Sequence, residues 1–320
     1  MMNVYLTFDV EIWCNGWKEL DERFPASFER YVYGRSSHGN YALPMTLEIL
    51  DRHRLSGVFF VEPLFSARFG QHWLDTIVGL IRDVGHEVQL HLHPEWTDEI
   101  SPLVFPGAKV KRQNLAFYTL SEQKTLITLG GDLLRQAGCE RISAFRAGSF
   151  ASSRDTYRAL AAIGIGIDSS LNYVQPDSAP DMRDSFDFRY PLVVDGVTVL
   201  PVSIFRDGFG RYRPTQVGAC SFAEMRDALL SAARQRTEHF VIVSHNFEML
   251  KHQRADPDPI IVSRFTRLCE FLDRNRETFR VASFNDPLIP GAPHGELELP
   301  SSSRTATALR FFEQALRRLY

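Results

Sequence analysis

V-Y-L-T-F-D-V-E, residues 4–11, decides how the rest of the chain is read. The run from Val4 to Asp9 is rich in β-formers and too short to be a globular helix, so it predicts a strand. It ends on two carboxylates, Asp9 and Glu11. Residues two apart in an extended segment point to the same side, so both can face one pocket.

Runs of the same kind return along the chain. G-V-F-F-V-E from Gly57, H-E-V-Q-L-H-L-H from His86, R-I-S-A-F-R-A-G from Arg141, G-I-G-I-D from Gly164, H-F-V-I-V-S-H from His239 and F-R-V-A-S-F from Phe279 predict strands. Between them lie helix-like stretches: L-P-M-T-L-E-I-L-D-R-H-R-L around Pro44, Q-H-W-L-D-T-I-V-G-L-I-R-D-V-G ending at Gly85, and S-E-Q-K-T-L-I-T-L-G-G-D-L-L-R-Q-A-G ending at Gly138. Further on come S-R-D-T-Y-R-A-L-A-A-I-G, S-F-A-E-M-R-D-A-L-L-S-A-A-R-Q-R and D-P-I-I-V-S-R-F-T-R-L-C-E-F-L-D-R-N-R. Ser121 beside Glu122, Ser221 with Glu224, and the glycines Gly85 and Gly138 read as cap chemistry.

Strand followed by helix, over and over, is the pattern of a parallel sheet covered by helices. The fold class is therefore α/β, and the length fits one large barrel-like domain or two smaller ones. In Y-P-L-V-V-D-G-V-T-V-L-P-V, from Tyr190, the central Asp-Gly is a hairpin signal, expected to decorate the barrel. Residues 291–320 read as a linker and a C-terminal amphipathic helix. That helix places Leu309, Phe312, Leu316 and Leu319 on one face with Arg310, Arg317 and Arg318 beside it. Docking on its own barrel or a partner subunit is the plain expectation, and a peripheral membrane contact the sharper one.

Composition narrows the function. The chain of 320 residues carries a formal net charge of −3, too weak a field to hold nucleic acid by its phosphates. Four scattered cysteines, Cys14, Cys139, Cys220 and Cys269, show no C-x-x-C pairing, which argues for free buried thiols rather than a disulfide framework or a zinc knuckle. No leader-like segment and no apolar run of about 18 residues occurs, so the expected location is the cytoplasm, with no transmembrane segment.

Sites in (β/α) barrels gather at the C-terminal ends of strands. Five strand ends here are polar: Asp9-Val10-Glu11, His91-Leu92-His93-Pro94-Glu95-Trp96, Arg146-Ala147-Gly148-Ser149, Asp168-Ser169-Ser170 and Ser244-His245-Asn246. One carboxylate with two imidazoles is a ligand set for a catalytic zinc. A metal there lowers the pKa of a water and polarises a carbonyl, a second carboxylate can act as base, and a separate histidine as acid. Singly, each element has a plain structural reading: cap, ion pair or satisfied histidine. Their joint occurrence at successive strand ends makes coincidence the poorer account.

The order of these motifs resembles the polysaccharide deacetylases, carbohydrate esterase family four with the NodB homology domain. Thr7-Phe8-Asp9-Val10-Glu11 is similar to the T-F-D-D-G motif, and Gly85-His86-Glu87 leads into His91 as the family's G-H-E does. Arg146, Asp168 and His245 match the later motifs. The T-F-D-V-E and H-L-H-P variants resemble a subgroup associated with surface-polysaccharide gene clusters. The resemblance spans residues 1–290 and implies a distorted (β/α)7 barrel over them, with Asp9 as general base and His245 as general acid. It implies that Arg146 keeps Asp9 charged and that Asp168 orients and charges His245. The family's metal-binding second aspartate is Val10 here, and Glu11 is its expected substitute. His91 with His93 is the favoured remainder of the set, although a four-residue spacing from His91 lands on Glu95. The implied cofactor is a divalent metal, zinc first, though cobalt, nickel or iron suit the same donors.

Around this set, Glu95, Trp96, Trp13, Trp17, Glu62 and Arg206 with Asp207 are candidate substrate contacts. The implied reaction removes an N-acetyl or other N-acyl group from a sugar, free or carried on a nucleotide or lipid. Two alternatives stay open: hydrolysis of a non-sugar cyclic amide, and a non-catalytic carbohydrate-binding protein on the same fold.

Overall fold

The computed structural model describes residues 1–107, 110–251, 256–286 and 298–318. The boundary expected at 290/291, much of the expected linker, and Leu319 lie outside the described residues. The chain forms two compact units. The first comprises Met1–Gly57, Ser203–Ser283 and the described C-terminal stretch 298–318; the second comprises Val58–Val202 and the described residues 284–286.

The first unit is organised on the strand Met2–Val10, in which every residue from Val4 to Val10 is buried. It pairs in parallel with His239–His245, Asn3 opposite His239 through Asp9 opposite His245. Its start also pairs in parallel with Phe279–Val281. Helices Leu43–Arg52, Phe222–Arg234 and Pro259–Arg274 stand where the periodicity predicts them. Ser221 and Glu224 form the expected capping box, and Asp258 accepts from the amides of Ile260 and Ile261. An additional helix, Leu20–Phe28, runs into a π-helical turn, Glu29–Tyr33. Its buried Leu20, Phe24 and Phe28 recur every four residues, a stripe that Pro25 conceals in the sequence.

The second unit carries Val58–Val61, Glu87–Leu92, Ala144–Ala147, Ile167–Asp168 and Val197–Val199 side by side, all parallel. Gln89 in the second of these strands binds its neighbour: its side-chain oxygen accepts from the amides of Ser143 and Ala144 at 2.9 and 2.8 Å. The hairpin at Asp195-Gly196 forms, with both turn residues at positive φ (47° and 87°). It is more than decoration, because Val197–Val199 pairs directly with Ile167–Asp168 as a sheet member. The long helix Leu120–Gln136 is capped by Thr119 rather than by the Ser121–Glu122 pair. Thr119 and Glu122 have the three-residue separation a capping box requires, which Ser121 and Glu122 lack.

Arg304–Arg317 forms the expected C-terminal helix, but it docks by a different face. Arg310 is buried, reaching Glu224 Oε1 at 3.0 Å and Asp207 Oδ2 at 2.9 Å, whereas Phe312 is 61% and Leu309 37% exposed. Two buried carboxylates fix the guanidinium inside, and that demand outranks the burial of the leucine–phenylalanine stripe. Arg264–Glu313 and Arg317–Asp258 ion pairs, at 2.7 and 2.6 Å, extend this polar seam. All four cysteines are free and buried. Among the described residues, no helix is long and apolar enough to cross a membrane.

Candidate active site

In the second unit, the strand Glu87–Leu92 delivers His91, and His93 follows as the chain turns into the short helical turn Pro94–Trp96. The His91 and His93 rings lie 4.8 Å apart, nearly perpendicular. His91 Nδ1 is 2.8 Å from the carbonyl oxygen of Arg146. A carbonyl accepts only, so Nδ1 carries the hydrogen of this bond. His93 Nδ1 is 3.2 Å from Glu95 Oε1, and an ionised carboxylate has the same effect. Two imidazoles with Nδ1 tied to acceptors are the arrangement of metal ligands backed by orienting groups. The other oxygen of Glu95, Oε2, is buried with no hydrogen-bond partner among the described residues. A buried orphan carboxylate oxygen beside an imidazole is compensated by a cation, so these residues fit a divalent metal.

Neighbouring groups hold these histidines in place. Lys111 donates to the Glu95 carbonyl at 2.7 Å, and the Tyr118 hydroxyl donates to the Pro94 carbonyl at 3.2 Å. Gly148 leaves room for a ring: a Cβ there would stand 2.7 Å from His93 Nδ1 and Cε1. Glu62, at the end of its strand, accepts from the amides of Leu64 and Phe65 at 2.8 and 3.5 Å. Burial pushes its carboxyl up to about 8, with His93 opposing.

Arg146 is fully buried, its guanidinium donating to the Ser169 carbonyl and hydroxyl, each at 3.0 Å, and lying over the Phe60 ring. Asp168 accepts from the Ser170 amide at 2.8 Å, the Ser170 hydroxyl at 2.6 Å and the Tyr157 hydroxyl at 3.2 Å. Burial raises its pKa to about 6, against the lowering effect of the Ser170 and Tyr157 hydrogen bonds and the Arg146 charge. Trp96 is buried with its edge on Phe69.

In the first unit, Asp9, Glu11 and His245 converge. One donor atom from each lies within 4.8 Å of the others, and His245 Nε2 is 4.0 Å from Asp9 Oδ2. The ladder produces this meeting, since Asp9 and His245 are register partners. Beyond the ladder Asn246 takes over. Its side-chain oxygen accepts the Glu11 amide at 3.1 Å, its amide group donates to the Glu11 carbonyl at 3.2 Å, and its own backbone amide donates to the Asp9 carbonyl. Trp13 donates its indole N–H to Glu11 Oε2 at 2.8 Å, so it contacts the carboxylate directly. Arg206 is exposed beside Tyr212, while Asp207 is committed to Arg310 and to the turn amides of Phe209 and Arg211.

Glu248 lies outside the residues that the strand-end motifs single out. It accepts from His245 Nδ1 at 3.0 Å, while the oxygens of Asp168 are engaged by Ser170 and Tyr157. His-x-x-Glu at the end of a strand, one turn apart, is the signal that would have found it. The pKa of His245 is raised to about 9. Burial opposes the charge, but the hydrogen bond to Glu248 and the nearby Glu11 and Asp9 carboxylates outweigh it. Glu248 is held below the usual carboxylate range although burial acts the other way.

No family model and no curated protein matches the chain. Among solved structures it is similar to a "putative polysaccharide deacetylase" from Mycobacterium smegmatis, with 20% identity and a TM-score of 0.53 over 90% of this chain and 95% of that one. It is also similar to the 4-alpha-glucanotransferase from Thermococcus litoralis, with 11% identity and a TM-score of 0.56 over 94% of this chain and 42% of that one. A family 4 carbohydrate esterase from Streptomyces lividans, in complex with acetate, matches with 13% identity and a TM-score of 0.43 over 88% and 92% of the two chains. The first likeness shows the fold, and the expected α/β class of the polysaccharide-deacetylase type is borne out.

Proposed function

We propose that the chain is a metal-dependent hydrolase of the polysaccharide-deacetylase family that removes an N-acetyl or other N-acyl group from a sugar. The observation that carries this reading is the pair His91 and His93, their rings 4.8 Å apart and each with Nδ1 tied to an acceptor. Glu11 is assigned as the carboxylate ligand by the order of the motifs, with zinc the first candidate ion and Glu95 the orienting partner of His93. When bound, the ion would polarise the acyl carbonyl and lower the pKa of a water. Asp9 takes a proton from the attacking water. His245 gives a proton to the departing amine, and its raised pKa keeps that proton available at neutral pH. The products are the carboxylate and the free amino sugar.

The T-F-D-V-E and H-L-H-P variants support a cell-surface polysaccharide precursor, nucleotide- or lipid-linked, as the substrate. The four free thiols support a reducing compartment such as the cytoplasm. Exposed Leu309, Phe311 and Phe312 on the C-terminal helix support a peripheral lipid contact. Trp13, Glu62 and Arg206 remain the candidate substrate contacts.

A second reading, glycan-chain transfer, has the support of the glucanotransferase fold. The paired ligand-state imidazoles weigh against it, because glycoside cleavage rests on two carboxylates and needs no metal. Acetate release from a panel of free and nucleotide-linked acetamido sugars, set beside small cyclic amides and oligosaccharides, tests the proposal. Acetate from an acetamido sugar is expected. Turnover of cyclic amides alone, altered oligosaccharide lengths without acetate, or glycan binding without turnover would each overturn it.

A further inference from the structure

We propose that Glu248 is the positioning residue of His245, fixing the imidazole with Nδ1 turned inward and Nε2 turned toward Asp9. The hydrogen-bond geometry stands by itself; only its catalytic consequence rests on the deacylase reading.

Four donors converge on this carboxylate. Oε1 receives His245 Nδ1 at 3.0 Å and Gln216 Nε2 at 2.6 Å. Oε2 receives the Gly218 amide at 2.7 Å and the Ser244 hydroxyl at 3.0 Å. A carboxylate surrounded in this way accepts and does not donate, so the hydrogen between Glu248 and His245 belongs to Nδ1. The opposite nitrogen, Nε2, then faces Asp9 Oδ2 at 4.0 Å. A general acid needs this orientation toward the reacting atoms.

The carboxylate is positioned in turn by backbone. A Cβ on Gly218 would lie 2.9 Å from Glu248 Cδ and Oε2, so glycine permits the close approach of its amide. The Gly218 carbonyl accepts from Arg264 Nη1 at 3.1 Å and Arg317 Nη1 at 3.3 Å. Arg264 is anchored to Glu313, and Arg317 itself lies on the C-terminal helix. The imidazole is thus backed by a chain of contacts through Glu248 and Gly218 to that helix.

A residue serving only the local turn would hold Glu248 without affecting which His245 nitrogen is protonated. Nitrogen-15 histidine NMR of the full chain reads that directly, with His245 assigned by the signal lost in His245→Gln. The wild type is expected to show a protonated Nδ1 whose proton lies downfield of the other histidines. Glu248→Ala should abolish the downfield signal, Gly218→Ala should move it upfield, Glu248→Gln should leave a weaker upfield shift, and Asp168→Asn should leave it in place. On an acetamido sugar, Glu248→Ala should lose about 10–100-fold in kcat with KM little changed, and Glu248→Gln should recover part of it. A downfield Nδ1 proton retained in Glu248→Ala, or lost in Asp168→Asn, would overturn the proposal. The expected NMR pattern with no acetate released by any form would uphold the positioning and defeat the deacylase reading instead.

Discussion

His91 and Arg146 are register partners on adjacent parallel strands, and the Arg146 carbonyl accepts the Nδ1 hydrogen of His91 at 2.8 Å. The same sheet neighbour that brings a buried arginine to its strand end also orients the histidine ring through its Nδ1. The backbone supplies this acceptor, so no side-chain substitution removes it directly. His93 depends on a side chain instead, and its dependence can be measured.

Glu95 is the acceptor for His93 Nδ1. Replacing it with alanine is expected to weaken the metal by about 10–100-fold. Glu95→Gln should lose less, because the amide oxygen still accepts. Competition with a chromophoric chelator measures both. Equal affinity in wild type and Glu95→Ala would exclude the orienting role.

Gly148 gives His93 its room. In Gly148→Ala the new methyl carbon would meet the ring at 2.7 Å, so the ring must turn or the strand end must shift. Stability should fall by only about 1–3 kcal/mol, the ordinary cost of overpacking. Metal affinity should fall by at least tenfold. A variant that melts lower yet binds metal normally would show that the ring position does not matter.

Asp168 links the site to pH. Its pKa is raised from 3.8 to about 6, so the folded chain retains a proton that the unfolded chain has already lost. Stability from this group is present below about pH 4 and disappears as pH rises through about 6. Asp168→Asn should be less stable than wild type at low pH, through the acceptor lost to Ser170. The gap should narrow by about 1–3 kcal/mol on going to pH 7. Urea midpoints across that range test it, and a gap that widens with pH would reverse the assignment.

Arg310 separates a costly ion pair from a cheap one. Arg310→Ala leaves Asp207 and Glu224 buried without their cation and should cost about 3–5 kcal/mol. Arg189 pairs with Asp187 at 2.6 Å, but both are about a third exposed or more. Arg189→Ala should cost under about 1 kcal/mol. Thermal melts of the two variants give the comparison, and similar shifts would deny the buried seam its role.

The strands and most helices were legible because apolar runs and periodic stripes are local, and each strand-end motif sits where the period predicts. Asp9 and His245 could be named because a parallel ladder places polar strand ends side by side. Three features escaped for physical reasons. The face by which the C-terminal helix docks was misread, since the pairing of Arg310 with Glu224 and Asp207 is a long-range demand invisible to helical periodicity. Helix Leu20–Phe28 was hidden by a proline within an apolar stripe. Glu248 has a local signal in His-x-x-Glu, but the hydrogen bonds that single it out come from Gly218 and Gln216, about thirty positions away in the chain.

Metal stoichiometry tests the account most directly. Purified protein reconstituted with zinc, then desalted, would be analysed for bound ion beside Glu11→Ala and His91→Ala. One ion per chain in the wild type, lost from both variants, is predicted by the proposed ligand set. An ion retained in either variant, or no ion in the wild type after reconstitution, would contradict it.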